Sequence, residues 1–435
     1  MTPLPTATPV LAFYGDDFTG SGAVLEVLSF AGLPTVLFLA PPTPADLARF
    51  PEARAIGLAG DARTWSPDRM RTELPAICAS LRALGAPILH YKLCSTLDSA
   101  PGIGSIGTAA EVALAPGALA PLVVAAPEIG RWQAFGTLFA RAGDGGIHRL
   151  DRHPTMSVHP VTAMDEADVL RHIARQTSLP LALADLNDLK SGRGLHRLTE
   201  AQRTGGILAI DVVDAETLAA AGDILWQAQG FVLGSQGVEY ALVAAWRRAG
   251  LLPPAPTPER LAPTGRIAVV SGSCSPTTAA QIDAAEAAGF AVIDLCPGEP
   301  DWDAATRAAL TALADGRSPL VATSRGQNDT GADPGLGAGL GRLLDRLIRE
   351  TGITRSVIAG GDTSSAAARA LGLTALTAET PIAPGAPLLR GHRAEGPGIE
   401  LVMKGGQMGP TDFFVHVRDG LPPTAGAAGR MRRNA

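Results

Sequence analysis

Two adjacent acids, Asp16 and Asp17, stand in the stretch Gly15-Asp16-Asp17-Phe18-Thr19-Gly20-Ser21-Gly22, directly after the apolar run Val10-Leu11-Ala12-Phe13-Tyr14. A carboxylate pair of this kind can orient or deprotonate a hydroxyl, and one member can cap the helix that follows. Two acids among three glycines exceed what capping requires. Further groups suited to an anionic or polyhydroxylated ligand follow. Lys92 ends the run Pro87-Ile88-Leu89-His90-Tyr91-Lys92 and delivers Cys94-Ser95-Thr96-Leu97-Asp98-Ser99, with Ser95 and Thr96 as hydroxyl donors. Arg131 follows a buried run at 122–126, where a guanidinium can clamp a carboxylate through two parallel hydrogen bonds.

A different chemistry gathers in the second half of the chain. Three loops rich in Gly, Ser, Thr and Lys stand at expected strand ends: 271–275, 360–365 and 404–409. A strand, a glycine turn and a helix N-terminus together make a cradle of backbone N–H groups, and phosphate is its usual occupant. A triphosphate needs donors from several directions and a cation. Ser271, Ser273, Gly360, Gly361, Asp362, Thr363, Lys404, Gly405 and Gly406 supply that set. There is no G-x-x-x-x-G-K-[ST] and no kinase-type glycine loop with a downstream catalytic-loop signature. The G-x-G-x-x-G spelling at 102–107 has no strand running directly into it, and the glycine-rich 335–341 reads as a turn. His153 and His159, six apart in a Pro-bearing loop without acidic or thiol ligands at the usual spacing, predict no metal site.

The elements that must position these groups alternate strand and helix. Strands are expected at 10–14, 35–39, 55–59, 87–92, 122–126, 180–184, 207–213 and 230–234, then at 266–270, 291–295, 319–323, 357–359 and 401–404, with helices at 23–31, 67–84, 165–176, 238–249 and from Pro276 to about Gly289. The fold class is α/β, with two domains, each a mostly parallel sheet flanked by helices, and the active site in the cleft between them. The Pro-rich stretch 251–265 reads as a linker between a first domain at 1–250 and a second at 266–420, with 421–435 as a frayed tail.

Composition narrows the classes. The chain has 435 residues, 46% hydrophobic, with 50 Gly and 35 Pro, which suits tightly packed helix-on-sheet layers. The net charge of −6 without a basic stripe argues against nucleic acid. No apolar run approaches a membrane span and no signal peptide opens the chain, so a cytoplasmic location without membrane partners is expected. Cys78, Cys94, Cys274 and Cys296 lack C-x-x-C spacing and read as reduced thiols. Homo-oligomerisation is left open. Two domains, one phosphate-cradling and one rich in groups for a polar acid, point to phosphoryl transfer; the rivals are an NAD(P)-dependent oxidoreductase of a sugar acid and a non-catalytic sugar-acid sensor.

The opening Gly15-Asp16-Asp17-Phe18-Thr19-Gly20, the Lys92 to Asp98 run, Gly130-Arg131, Gly234-Ser235-Gln236-Gly237, Ser271-Gly272-Ser273, Gly360-Gly361-Asp362-Thr363-Ser364 and Lys404-Gly405-Gly406 occur in the order found in the four-carbon acid sugar kinase family. The chain resembles that family over residues 10–415. The resemblance implies an N-terminal domain that binds a sugar acid, a C-terminal domain that binds ATP, and phosphorylation of a terminal hydroxyl of threonate, erythronate or a 3-oxo-tetronate, and charge on the transferring phosphoryl group calls for Mg²⁺. It places Ser273, 360–363 and Gly406 on ATP, and Asp16, Asp17, Lys92, Ser95, Thr96 and Arg131 around the acid. The family's usual Asp-Ser-Thr-Leu-Arg-Gly is here Cys94-Ser95-Thr96-Leu97-Asp98-Ser99, so one acid is lost and an Arg is replaced by an acid. With Asp151-Arg152-His153-Pro154-Thr155-Met156-Ser157, this variant resembles a subgroup associated with 3-oxo-isoapionate, a branched sugar acid.

Overall fold

Short apolar runs bounded by Gly, Pro and capping residues become strands in a computed structural model that describes residues 2–6, 8–143, 145–296, 298–323, 325, 334–394 and 396–420, with Pro334 and Asp362 described by backbone alone. The expected tail at 421–435 lies outside the described residues. The chain divides into two compact units, Met1–Pro256 and Thr257–Ala435. In the first the strands are β1 (Leu11–Gly15), β2 (Thr35–Phe38), β3 (Ala55–Ala59), β4 (Ile88–Lys92), β5 (Leu119–Val123), β6 (Arg131–Ala134), β7 (Thr137–Arg141), β8 (Ile147–Arg149), β9 (Leu181–Ala184), β10 (Gly206–Ile210) and β11 (Gly230–Gly234). In the second they are β12 (Ala268–Ser271), β13 (Ala291–Asp294), β14 (Pro319–Ala322), β15 (Arg355–Ala359), β16 (Leu373–Ala383), β17 (Ala386–Arg393) and β18 (Ile399–Lys404).

The first unit's main sheet runs β2-β3-β1-β4-β11-β5-β10-β9, and every pairing in it is parallel. All five residues of β1 and of β4 are buried, as expected for strands covered by helices on both faces. The chain leaves β1 toward β3 and β2, then crosses to the other side of β1 with β4. That reversal separates the helices flanking β1 and β4 and leaves their carboxyl ends uncovered. The second unit repeats the device. Its strands run β13-β14-β12-β15-β18-β17-β16, parallel as far as β18, with the reversal between β12 and β15. Each unit has its own apolar core, one around Leu89, Leu122 and Ile207 and the other around Val269, Val357 and Val402.

Four features depart from the sequence expectation. The antiparallel sheet β6-β7-β8 and the long antiparallel hairpin β16-β17, which pairs with β18, carry no signal strong enough to be foreseen. The helix expected over 165–176 is confined to Val169–Ala174, because the backbone just before it is committed to the small sheet: Leu138 N–H donates to Ala167 O and Val169 N–H to Gly136 O. The glycine-rich 335–341 is not a turn; it lies inside the helix Pro334–Thr351. Its glycines allow close packing. A Cβ at Gly339 would stand 2.3 Å from the Trp302 ring, and one at Gly341 would stand 2.7 Å from Ala367 Cα.

Gly341→Ala is therefore expected to destabilise the second unit by roughly 1–3 kcal/mol through overpacking, even though Ala is favoured over Gly in an exposed helix by about 1 kcal/mol. Denaturant unfolding of the variant checks this, and a stabilised variant would contradict the packing account.

Candidate functional site

At the reversal in the first unit, β1 and β4 pair with Gly15 beside Lys92, so Asp16 and the Lys92 side chain leave the sheet together. Asp16 N–H donates to Lys92 O at 2.9 Å. Asp17 is the N-cap of the helix Phe18–Phe30, its Oδ1 accepting from Gly20 N–H at 3.1 Å, which settles which acid does the capping. Asp16 is 2% exposed and is held by Arg63: Nη2 donates to Oδ1 at 2.7 Å and Nε to Oδ2 at 3.3 Å, while Nη2 also reaches Asp17 Oδ1 at 2.5 Å. Asp17 keeps Oδ2 without a protein donor among the described residues, and its side chain is 25% exposed. Burial pushes the Asp16 carboxyl up to about 6, with Arg63 opposing and Asp17 assisting the rise.

Lys92 is buried, and its Nζ donates to Leu93 O at 2.7 Å with no carboxylate in ion-pair range among the described residues. A Cβ at Gly20 would lie 2.4 Å from Asp17 Oδ1 and 2.9 Å from Lys92 Nζ, so the missing side chain is what opens the space both groups face. Behind Lys92, the fully buried His90 and Glu239 pair at 2.6 Å and fasten β4 to the helix Gly237–Arg248. Cys94 contacts the Thr96 hydroxyl at 3.1 Å and lies near enough to Arg63 and Arg131 to interact electrostatically with both. Thr96 is buried and Ser95 half-buried. Arg131 opens β6. Its Nη1 donates to the carbonyls of Ile129, Gly130 and Arg141, its Nε is buried without a partner, and no carboxylate pairs with it among the described residues. Burial pulls it below its ordinary value. A half-buried cation without a counter-charge suits an incoming carboxylate. Asp16, Asp17, Lys92, Cys94 and Arg131 thus belong to one neighbourhood.

In the second unit the three loops follow β12, β15 and β18, which are adjacent in the sheet. Gly272 N–H donates to Ala359 O at 3.1 Å, and Gly360 N–H to Lys404 O at 2.9 Å. Gly360 has φ +118°, a conformation glycine alone adopts without strain, and it starts the helix Gly361–Ala370 without any side-chain cap. The first-turn N–H groups of Gly361 and Thr363 are therefore available to a ligand. A Cβ at Gly272 would meet Thr363 Oγ1 at 2.3 Å, and one at Gly406 would meet Ser273 Oγ at 2.6 Å, so the loops approach one another as closely as their glycines permit. The Asp362 side chain lies outside the described residues. Ser271 Oγ accepts from Ser273 N–H at 3.4 Å and Ser273 Oγ from Ser275 N–H at 3.2 Å, while Ser275 caps the helix Pro276–Ala287 with Pro276 at its first position, as its sequence predicts. Lys404 is turned under the loop. It is 1% exposed, its Nζ donates to Thr278 Oγ1 at 2.9 Å, Thr278 Oγ1 donates to Gly406 O at 2.8 Å, and burial lowers the amine to about 8. Gly405 follows it at the start of the loop.

Sequence reasoning missed Arg63, Thr278 and Gln281. Arg63 stands after β3, the neighbour of β1, so strand order would have identified it, but that order is not written locally. Gln281 Nε2 donates to the carbonyls of Met408, Gly409 and Pro410 and fastens the last loop from a helix far away in sequence. The G-x-G-x-x-G spelling is a packing feature: a Cβ on Gly107 would stand 2.5 Å from Gln176 O.

Comparison with known proteins adds a second line of observation. Residues 11–242 match the family described as sugar-binding N-terminal domain, and residues 268–414 the nucleotide-binding C-terminal domain. The chain is 45% identical to the 3-oxo-isoapionate kinase of Paraburkholderia graminis, covering 94% of each chain. It is 31% identical to the 3-oxo-tetronate kinase of Pseudomonas fluorescens, over 93% of this chain and 96% of that one, and 30% identical to that of Pseudomonas savastanoi pv. phaseolicola, over 98% and 100%. Among solved structures, a Salmonella typhimurium LT2 protein superposes with a TM-score of 0.79 at 23% identity, covering 95% of this chain and 100% of that one, and a Haemophilus influenzae protein with 0.73 at 23%, covering 94% and 99%; both share the fold.

Because the folded-state value of Asp16, about 6, exceeds its ordinary 3.8, the stability that its neutral form contributes is complete below pH ~4 and is lost as pH rises through 6. Asp16→Asn is expected to remove that slope and to be more stable than the parent at pH 7.5, by an amount on the order of a few kcal/mol. Tm measured from pH 4 to 8 for both proteins checks it, and parallel curves would contradict the assigned burial.

Proposed function

The chain belongs to the four-carbon acid sugar kinase family, and from that premise we propose that it transfers the γ-phosphoryl group of ATP to a hydroxyl of a sugar acid, with 3-oxo-isoapionate or a close branched relative as the acceptor. The first unit takes the acid, and the second takes the nucleotide. The observation that carries this reading is the contiguity of the three loops after β12, β15 and β18, whose missing side chains and uncapped N–H groups fit a polyphosphate. Ser271, Ser273, Gly360, Gly361, Asp362, Thr363, Gly405 and Gly406 hold the phosphates, and Lys404 contributes its charge from beneath while keeping Gly406 in place. Mg²⁺ would come with the nucleotide, held mainly through its phosphates, and would supply charge neutralisation on the transferring group.

Arg131 and Lys92 receive the substrate carboxylate, and Ser95 and Thr96 its hydroxyls. Asp17, with an open Oδ2, accepts the proton of the reacting hydroxyl. Asp16, with both oxygens on Arg63, holds that guanidinium against Asp17. A cytoplasmic enzyme of carbohydrate acid catabolism is the setting proposed, consistent with four cysteines that form no disulfide. Among the described residues no helix is long and apolar enough to cross a membrane.

Two variants test the division of labour. Asp17→Asn is expected to lower kcat by ~10²–10⁴ with its fold intact, whereas Gly360→Ala is expected to raise the KM for ATP at least about tenfold and leave the KM for the acid nearly unchanged. Steady-state kinetics with each substrate varied in turn decides. An Asp17→Asn enzyme of normal kcat would remove the base, and a Gly360→Ala enzyme with normal ATP dependence would remove the cradle.

A further inference from the structure

The turn Gly234-Ser235-Gln236-Gly237 and the buried pair behind it have no part in the chemistry above. In the sheet β11 lies between β4 and β5, so this turn stands between the strand ends that lead to Lys92 and to Arg131. On the β5 side Ser235 N–H donates to Val123 O at 3.0 Å and Ser235 Oγ to Val124 O at 2.7 Å, while a Cβ at Gly237 would stand 1.9 Å from Ala125 O. Ala126, the next residue, exchanges backbone hydrogen bonds of 3.0 and 3.1 Å with Arg131. On the β4 side Gly234 O accepts from Leu93 N–H at 2.8 Å, and Leu93 O accepts from Lys92 Nζ at 2.7 Å. One turn thus braces the backbone at the base of both cations.

Gly234 O has a second donor, His90 Nε2 at 3.0 Å. A carbonyl can only accept, so Nε2 carries a proton. His90 Nδ1 stands 2.6 Å from Glu239 Oε1, and one further proton lies between them, on the ring or on the carboxyl; in either arrangement the pair is neutral as a whole. No part of either side chain is exposed, and Glu239 Oε2 has no hydrogen-bond partner among the described residues. Burying such groups costs stability, and well-packed apolar residues of similar volume commonly serve a fold as well or better. Packing alone therefore does not account for the pair. What it does that apolar residues cannot is tie the Gly234 carbonyl to the first turn of the helix Gly237–Arg248, and so fix the acceptor of the Leu93 peptide that holds the Lys92 ammonium.

We infer that His90 and Glu239 are positioning residues for the acid substrate: acting through Gly234 O, they set where the Lys92 ammonium stands relative to Arg131, a role that rests on the kinase reading and on its assignment of Lys92 to the substrate carboxylate. Neither residue touches the substrate. Glu239→Gln keeps the tie, since its amide donates to a bare Nδ1 while the ring proton stays on Nε2. Glu239→Leu leaves Nδ1 without a partner. The double variant His90→Leu/Glu239→Leu removes the tie and leaves Gly234 O with its Leu93 bond, so no buried polar group is orphaned.

Steady-state kinetics with ATP·Mg and 3-oxo-isoapionate, each varied in turn, test this in the parent, Lys92→Met, Glu239→Gln, Glu239→Leu and the double variant. Lys92→Met should raise the KM for the acid most; Glu239→Leu and the double variant should raise it about tenfold, with the KM for ATP unchanged and Glu239→Gln within about twofold of the parent. A packing role would instead lower kcat with the loss of folded enzyme and leave the KM for the acid in place, and that result overturns the inference. A double variant with the parent's KM for the acid while Lys92→Met is impaired overturns the positioning role alone. A normal KM for the acid in Lys92→Met overturns the assignment of that lysine and the inference with it, and a parent that phosphorylates no sugar acid overturns the kinase reading itself. If the double variant fails to fold, Glu239→Gln against Glu239→Leu decides: equal KM for the acid in those two rejects the inference.

Discussion

In a parallel sheet every strand ends at the same edge, and where the chain reverses its direction of travel across the sheet the covering helices part. Each unit contains one such reversal, between β1 and β4 in the first and between β12 and β15 in the second. The candidate site residues depend on those two places. Gly15 pairs with Lys92 and Ser271 with Ala359, so residues remote in sequence emerge side by side with no freedom to drift, because strand register fixes them.

The two openings are furnished differently. The first has a buried acid, a buried lysine and an arginine without a counter-charge. Removing such charges from water is costly, and the network of Arg63, Asp16 and Asp17 offsets part of that cost while burial pushes the Asp16 carboxyl up. Under the proposed function, a ligand with both a carboxylate and hydroxyls would relieve part of that cost. The second opening relies on neutral donors: backbone N–H groups at a helix start and serine hydroxyls, with one lysine below. Such donors accept a polyanion without holding a large unpaired charge when empty.

Much of this was legible in the sequence, and the failures have common causes. The acids at 16 and 17, the lysines at strand ends and the three glycine loops were readable because turn and capping chemistry is local. The α/β class was readable because buried strands and helices alternate. Arg63 was not, since its relation to Asp16 depends on strand order. Nor was the inward turn of Lys404 toward Thr278, since the partner lies on a helix 126 residues earlier. The glycines at 335–341 misled because glycine for close helix packing and glycine for a turn have the same spelling, and only the neighbours, Trp302 and Ala367, tell them apart. The hairpin β16-β17 was missed because its strands carry Thr, Glu and Arg among the apolar residues and break strict alternation with bulges.

The central claim, that a hydroxyl of a sugar acid receives phosphate from ATP on this protein, is tested most directly by ³¹P NMR of the enzyme with ATP·Mg and 3-oxo-isoapionate. The account predicts a new phosphomonoester resonance that grows in step with ADP and requires both the acid and the enzyme. ADP and inorganic phosphate appearing at a rate indifferent to any sugar acid, with no ester formed, would contradict it.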